Sequence, residues 1–170
     1  MDQLLIFDQL LPPAEFNQIG PYLRTKQGYL FKHSSLPGED KVFWSTRLDS
    51  ALFRQQLPDV LKSRLNCDFE VVRSYSSALT FGLDTSFHVD TGNNATHTIL
   101  WYVHEEWHKE WGGHTEFLVD NKHYYVYPQP NQFILFPAHI LHRGLPPTRS
   151  CHRLRQVVAW KVIMKNPSVG

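Results

Sequence analysis

Several features that would direct a reading elsewhere are scarce in this 170-residue sequence. No run approaches the roughly 20 apolar residues that a membrane-spanning helix needs. Only two cysteines occur, Cys67 and Cys151, far apart in the chain, so no disulfide framework of the kind that staples small secreted domains is expected. The opening residues lack the basic-then-apolar order of a secretory signal. Excess charge of one sign is missing as well: 17 basic and 16 acidic side chains leave a formal net charge of +1. Apart from a short cluster at Arg149, Arg153 and Arg155, the basic residues are scattered, which gives no electrostatic track for nucleic acid or an anionic membrane. Repeats, low-complexity tracts and linkers are absent too. These absences predict a single soluble, cytoplasmic domain over residues 1–170, with neither nucleic acid nor membrane as partner.

What is abundant is aromatic residues, 14% of the chain, and histidine, with ten. Phe16, Ile19 and Leu23 recur at helical spacing, with Pro13 suited to a first turn and a strand expected to run into it from about Asp8. A second helix is expected from about Ser50 to Leu65, split or kinked at Pro58. After Cys67 the texture becomes that of strands: Phe69–Tyr75, His97–Val103, Thr115–Val119, Tyr124–Tyr127, Phe133–Phe136 and Arg155–Ile163. Shorter ones are expected at Leu79–Phe81 and Phe87–Val89. A helical preface over about 1–66 and a β-rich core over about 67–165 give an α+β, mainly β fold. The expected core is a double-stranded β-helix, or jelly roll, buttressed by the N-terminal helices.

His88-Val89-Asp90 is the chain's His-x-Asp. On an extended segment, residues i and i+2 face the same way, so imidazole and carboxylate can converge on one ion. Far downstream, the segment from Phe136 to Gly144 offers a third ligand at His139 or His142, which cannot both point inward from an extended strand. Two His and one carboxylate on one face of an octahedron leave three positions open, as in non-haem iron(II) oxygenases.

The ordered segments carry a resemblance. His88-Val89-Asp90-Thr91-Gly92, then Leu100-Trp101-Tyr102-Val103, then Glu110-Trp111-Gly112-Gly113-His114-Thr115-Glu116-Phe117, and finally Tyr127 to Phe136 resemble the catalytic core of the 2-oxoglutarate/iron(II) oxygenases, in their prolyl-4-hydroxylase-like branch. The pattern places the distal ligand directly before Arg143-Gly144, which selects His142. Three departures occur: Asn131 stands where the family usually has Gly, His114 stands where an acidic residue is common, and the spacing from His142 to the candidate cosubstrate Arg is a few residues longer than usual. Asn tolerates the left-handed conformation such a turn requires.

The resemblance implies an enzyme using Fe(II) and the cosubstrate 2-oxoglutarate with dioxygen. Such a dioxygenase hydroxylates a C–H bond of an amino-acid residue or small molecule and releases succinate and CO2. A cation is then needed for the distal carboxylate of 2-oxoglutarate, and Arg suits it by its planar fork. Arg149, Arg153 and Arg155 are the candidates; Arg153 and Arg155 share a strand parity, and the apolar strand that follows favours Arg155. Tyr75 and Tyr102 are expected near the cosubstrate, Trp107 and Trp111 in packing, and Lys41 to Arg47 in the substrate wall. Two rivals remain: a cupin-like jelly-roll metalloprotein without 2-oxoglutarate, needing no buried Arg, and a non-catalytic binding module that kept the fold.

Overall fold

A computed structural model describes residues 4–26, 28–33, 42–93 and 95–165. Its strands are β1 (Leu5–Phe7), β2 (Leu30–His33), β3 (Val42–Arg47), β4 (Phe69–Leu79), β5 (Thr96–Tyr102), β6 (Thr115–Val119), β7 (Lys122–Val126), β8 (Phe133–Pro137), β9 (Leu141–Gly144) and β10 (Arg155–Met164). Two helices, α1 (Pro13–Thr25) and α2 (Leu57–Leu65), precede β4. The larger sheet runs β1-β8-β5-β10-β4-β3-β2, and β7-β6-β9 forms a smaller one. All pairings are antiparallel. This is the mainly β jelly-roll architecture expected from the sequence.

Alternation along the central strands builds two cores. Ile99 and Trp101 of β5, Val158, Trp160 and Val162 of β10, and Phe133 and Leu135 of β8 face the helices, where Phe16, Ile19, Leu23, Phe53, Leu57 and Leu61 meet them. Leu100, Tyr102, Ile134, Phe136 and Val157 point the other way, onto Phe117 and Val126 of the smaller sheet. β5 is buried along its whole length, with Ile99 to Tyr102 an unbroken apolar and aromatic run as expected of a strand covered on both faces.

Several details differ from the sequence expectation or sharpen it. The first strand lies at Leu5–Phe7 rather than from Asp8, because Gln9 takes a positive φ of 52° and ends the extension. The preface supplies strands as well as helices, with β1 and β3 pairing directly to β8 and β4. At Pro58 the helix does split: a π-helical turn, Leu52–Gln56, gives way to α2. In that wider turn Leu57 N–H bonds the Leu52 carbonyl, and the next carbonyl, of Phe53, faces a proline without N–H. The indole of buried Trp160 donates to it at 2.7 Å, fastening the helix to β10. Of the shorter strands, Leu79 closes β4 ahead of a turn at residues 80–83, and Phe87–Val89 contributes one bridge residue, His88. Asn131 does hold a left-handed turn, at φ 58°, while its amide bonds both the N–H and the carbonyl of Leu11.

Candidate active site

His88 and His142 form an isolated antiparallel bridge, each N–H donating to the other's carbonyl at 2.9 and 3.0 Å. Asp90 N–H donates to Ala138 at 2.8 Å, so the loop carrying His88 and Asp90 is laced onto the corner between β8 and β9. That backbone lacing brings three donor atoms, one each from His88, Asp90 and His142, within 4.8 Å of one another. His88 Nε2 lies 3.8 Å and His142 Nε2 3.7 Å from the two Asp90 oxygens. The Nδ1 atoms sit against backbone carbonyls, Ser86 at 3.0 Å and Ile140 at 2.8 Å. Assigning the proton to Nδ1 on that basis leaves both Nε2 lone pairs aimed at the cluster, the usual way a ligating His is oriented.

The electrostatics suit metal ligation. Burial pushes the His142 imidazole down to about 4, against the pull of Asp90, so at neutral pH it is an uncharged donor. Burial alone would raise the Asp90 carboxyl, but the Lys161 ammonium, His142 and a 2.5 Å bond from Thr98 hold it well below the usual carboxylate range. Two imidazole nitrogens and one carboxylate, facing one side, match the donor set of an Fe(II) site with open positions.

Arg155 lies at the start of β10 and is 3% exposed. Its Nε donates to the Gly113 carbonyl and one Nη to Thr115 Oγ1 at 2.8 Å. Thr115 is in turn 2.6 Å from the Tyr102 hydroxyl, which donates to the Val126 carbonyl. Gly144 lets the fork approach closely: a Cβ on it would stand 3.2 Å from Arg155 Nη1, tight enough that the guanidinium would have to shift. Gly113, at φ +72°, is crowded likewise, since its Cβ would meet Trp107 at 2.9 Å. Among the described residues no carboxylate pairs with Arg155. A buried guanidinium without an anion is costly unless a ligand supplies one, and the distal carboxylate of 2-oxoglutarate fits that need.

A cavity of about 400 Å³ joins the two groups, with His88, His142, Thr115, Arg155, Lys161 and Tyr75 among its lining residues. Of the Lys41 to Arg47 stretch, Phe43, Ser45 and Arg47 of β3 line it too, while Lys41 lies outside the described residues. Tyr102 is brought to the site but not to its surface; it is fully buried behind Thr115. His139 is exposed on the turn after β8, and Arg149 is exposed. Arg153 is half-exposed and pairs with Glu106. Trp107 and Trp111 pack edge to face, and the Trp107 indole donates to the Gly112 carbonyl. Sequence reasoning missed roles for Thr98, Thr115 and Lys161. The signal for Lys161 was available: it shares its strand parity with Arg155, Val157 and Ala159, all of which line the cavity.

Comparison with known proteins agrees with this geometry. No curated protein matches the chain. Among solved structures, a prolyl hydroxylase from Trichoplax adhaerens, in complex with a hypoxia inducible factor oxygen degradation domain peptide fragment, superposes with a TM-score of 0.71. It is 16% identical, over 96% of this chain and 84% of that one. The viral collagen prolyl hydroxylase of Paramecium Bursaria Chlorella virus-1 gives 0.64 at 16% identity, over 94% and 96%. HygX from Streptomyces hygroscopicus, with nickel, 2-oxoglutarate and hygromycin B bound, gives 0.70 at 11% identity, over 94% and 82%. At such identities the likeness is one of fold. The family model of the 2OG-Fe(II) oxygenase superfamily matches residues 74–160, more than half of the chain and the stretch that holds His88, Asp90, Thr98, Thr115, His142 and Arg155. With that match, the chain belongs to the 2OG-Fe(II) oxygenase superfamily and is an enzyme dependent on Fe(II) and 2-oxoglutarate.

Proposed function

We propose that this enzyme is a hydroxylase in which His88, Asp90 and His142 hold one Fe(II) and Arg155 holds the distal carboxylate of 2-oxoglutarate. The observation that carries the reading is the buried guanidinium of Arg155, which has no carboxylate partner among the described residues and lies in the same cavity as the three-donor cluster. When bound, Fe(II) and 2-oxoglutarate supply with dioxygen the oxidising power to hydroxylate a C–H bond, leaving succinate and CO2. The protein's own part is positioning. Backbone carbonyls fix the two imidazoles, and Thr98 fixes the Asp90 carboxylate. Thr115 and the Gly113 carbonyl aim the Arg155 fork, and Tyr102 steadies Thr115 from behind. Phe117 and Phe136 pack on the His142 ring and exclude water from its buried side.

The substrate is a small molecule or an amino-acid residue, admitted along β3 and contacting Tyr75. The proteins of similar fold span both kinds, a peptide in one and hygromycin B in another. One catalytic domain suffices, since the N-terminal strands supply part of the cavity wall. The free cysteines Cys67 and Cys151 suit a reducing, cytoplasmic setting. No helix is long and apolar enough to cross a membrane, and the scattered charge favours neither membrane nor nucleic acid as a partner. Succinate formation over panels of amino acids, peptides and metabolites tests the reading. The expected result is iron-dependent succinate that rises with one substrate class, and its absence from wild-type protein able to bind neither Fe(II) nor 2-oxoglutarate would refute it.

A further inference from the structure

The cavity carries more positive charge than iron and cosubstrate account for. Arg47, Arg73, Arg155 and Lys161 line it, and no Asp or Glu does among the described residues. The Asp90 carboxylate stands beside it, bonded to Lys161 and Thr98. A bound Fe(II) and a 2-oxoglutarate dianion cancel in charge, and Asp90 offsets one of the four cations, so three positive charges remain. Arg47 leans on Asp49 at 3.8 Å, but both side chains are largely exposed and the contact is screened. Arg73 has no carboxylate partner among the described residues; its guanidinium lies 4.9 Å from the Tyr75 ring centre.

The sheet register sets two of these cations face to face. Lys161 on β10 and Arg73 on β4 are direct cross-strand partners, and both side chains line the cavity. Like charges so placed destabilise a sheet. The arrangement is nonetheless built in: the ladder shifts at this step, leaving Val72 as an extra residue on β4, and Arg54 donates to the Val72 carbonyl at 3.0 Å. Asp90 partners Lys161 here, but a divalent cation draws on the same carboxylate oxygens. A metal held by the three-donor cluster would share the Asp90 carboxylate with Lys161, so an anion entering between Lys161 and Arg73 would offset the repulsion between them.

We propose that Arg73 and Lys161 form an oxyanion clamp for the substrate, which is a small molecule bearing a carboxylate or phosphate. This rests on the iron and 2-oxoglutarate reading of the site. The oxyanion sits over Tyr75, on the wall away from the Arg155 fork, with the hydroxyls of Ser45 and Ser77, cross-strand partners on β3 and β4, lining the same wall. A volume of about 400 Å³ must also hold the cosubstrate, which leaves room for a compact molecule rather than a length of folded polypeptide.

The test uses protein loaded with Zn(II), which is inert to dioxygen, and 2-oxoglutarate. It is titrated with inorganic phosphate, with N-acetyl amino acids and with their amides, reading the thermal midpoint and calorimetric affinity. Phosphate raises the midpoint, or the free acids bind at least tenfold more tightly than the amides, and Arg73→Gln removes the effect while Zn(II) and 2-oxoglutarate titrate as in wild type. A response to phosphate alone assigns a phosphate, and to the acids alone a carboxylate. No response to either, or one that survives Arg73→Gln, overturns the clamp. Terminally blocked peptides containing Asp or Glu form a second arm; binding confined to them overturns the small-molecule assignment. Failure of 2-oxoglutarate itself to bind counts against the proposed function instead, so the two failures are distinct.

Discussion

The ammonium of Lys161 and the carboxylate of Asp90 form a buried ion pair, their side chains 8% and 6% exposed, on the very carboxylate that joins His88 and His142 in the metal cluster. A divalent ion and Lys161 therefore compete for the same oxygens. Replacing Lys161 with Met leaves the carboxylate buried without its cation, a change that typically costs about 3–5 kcal/mol. The metal-free Lys161→Met protein should be destabilised on that scale, and Zn(II) or Fe(II) should restore most of the loss because the ion takes over the neutralising role. Urea unfolding with and without metal measures both quantities. An equal loss in the metal-loaded protein would show that Lys161 acts through packing instead.

Arg155 should control the cosubstrate and not the metal. Removing one partner of a buried charge-assisted pair costs on the order of 2–5 kcal/mol, or roughly thirty-fold to several thousand-fold in affinity. Arg155→Ala should weaken 2-oxoglutarate by that factor in an anaerobic titration of the iron–oxoglutarate absorbance, with Fe(II) affinity nearly unchanged. Arg155→Lys should recover only part, since an ammonium lacks the fork. Arg153→Ala, at a half-exposed residue paired with Glu106, should leave the titration as it is. An unweakened band in Arg155→Ala protein would remove the residue from the cosubstrate site.

The two late histidines are separable by the same titration. His142 is buried among Phe117 and Phe136 with its Nδ1 bonded to Ile140, whereas His139 is exposed on the turn. His142→Ala should abolish stoichiometric Fe(II) binding, and His139→Ala should retain it. Metal analysis after anaerobic loading decides the point, and the reverse outcome would move the ligand three residues upstream.

Much of this arrangement was legible in the sequence where side-chain parity and strand texture coincide. Arg155 to Met164 is a largely apolar strand whose alternate residues face opposite cores; parity alone admitted Arg153 as well, and it was the resemblance that favoured Arg155. His88 and Asp90, two apart, were readable as one face. The strand β9 was not, because Leu141 to Gly144 is short and half polar and its pairing is fixed from outside, by Phe117 and Leu118 of β6. Lys161 was hidden for a different reason. A lysine near the end of an apolar strand ordinarily snorkels to water, and only the loop that delivers Asp90 over the sheet keeps it buried. Thr115 lies within the Trp-Gly-Gly segment, but its link to Arg155 spans 40 residues and exists only once β6 and β10 are brought together.

The buried imidazole of His142 also fixes how stability responds to acid. Its folded value, about 4, lies below its ordinary 6.5, with burial as the main cause. Below pH 6.5 the unfolded chain takes up a proton that the folded chain refuses until about pH 4, so the stabilisation is fully present above 6.5 and is lost as the pH falls through that window. A displacement of this size corresponds to roughly 3 kcal/mol. Burial lowers His114 as well and acts in the same direction. Asp90, held below its ordinary 3.8, keeps its contribution throughout the window and loses it only at lower pH. Metal-free protein should therefore lose about 3 kcal/mol of unfolding free energy between pH 6.5 and 4, measured by urea denaturation, and His142→Gln should flatten most of that slope. His139→Gln, at an exposed residue on the turn after β8, serves as the control. A slope that survives His142→Gln would assign the acid sensitivity to other groups and leave His142 without the burial that prepares it as an uncharged ligand.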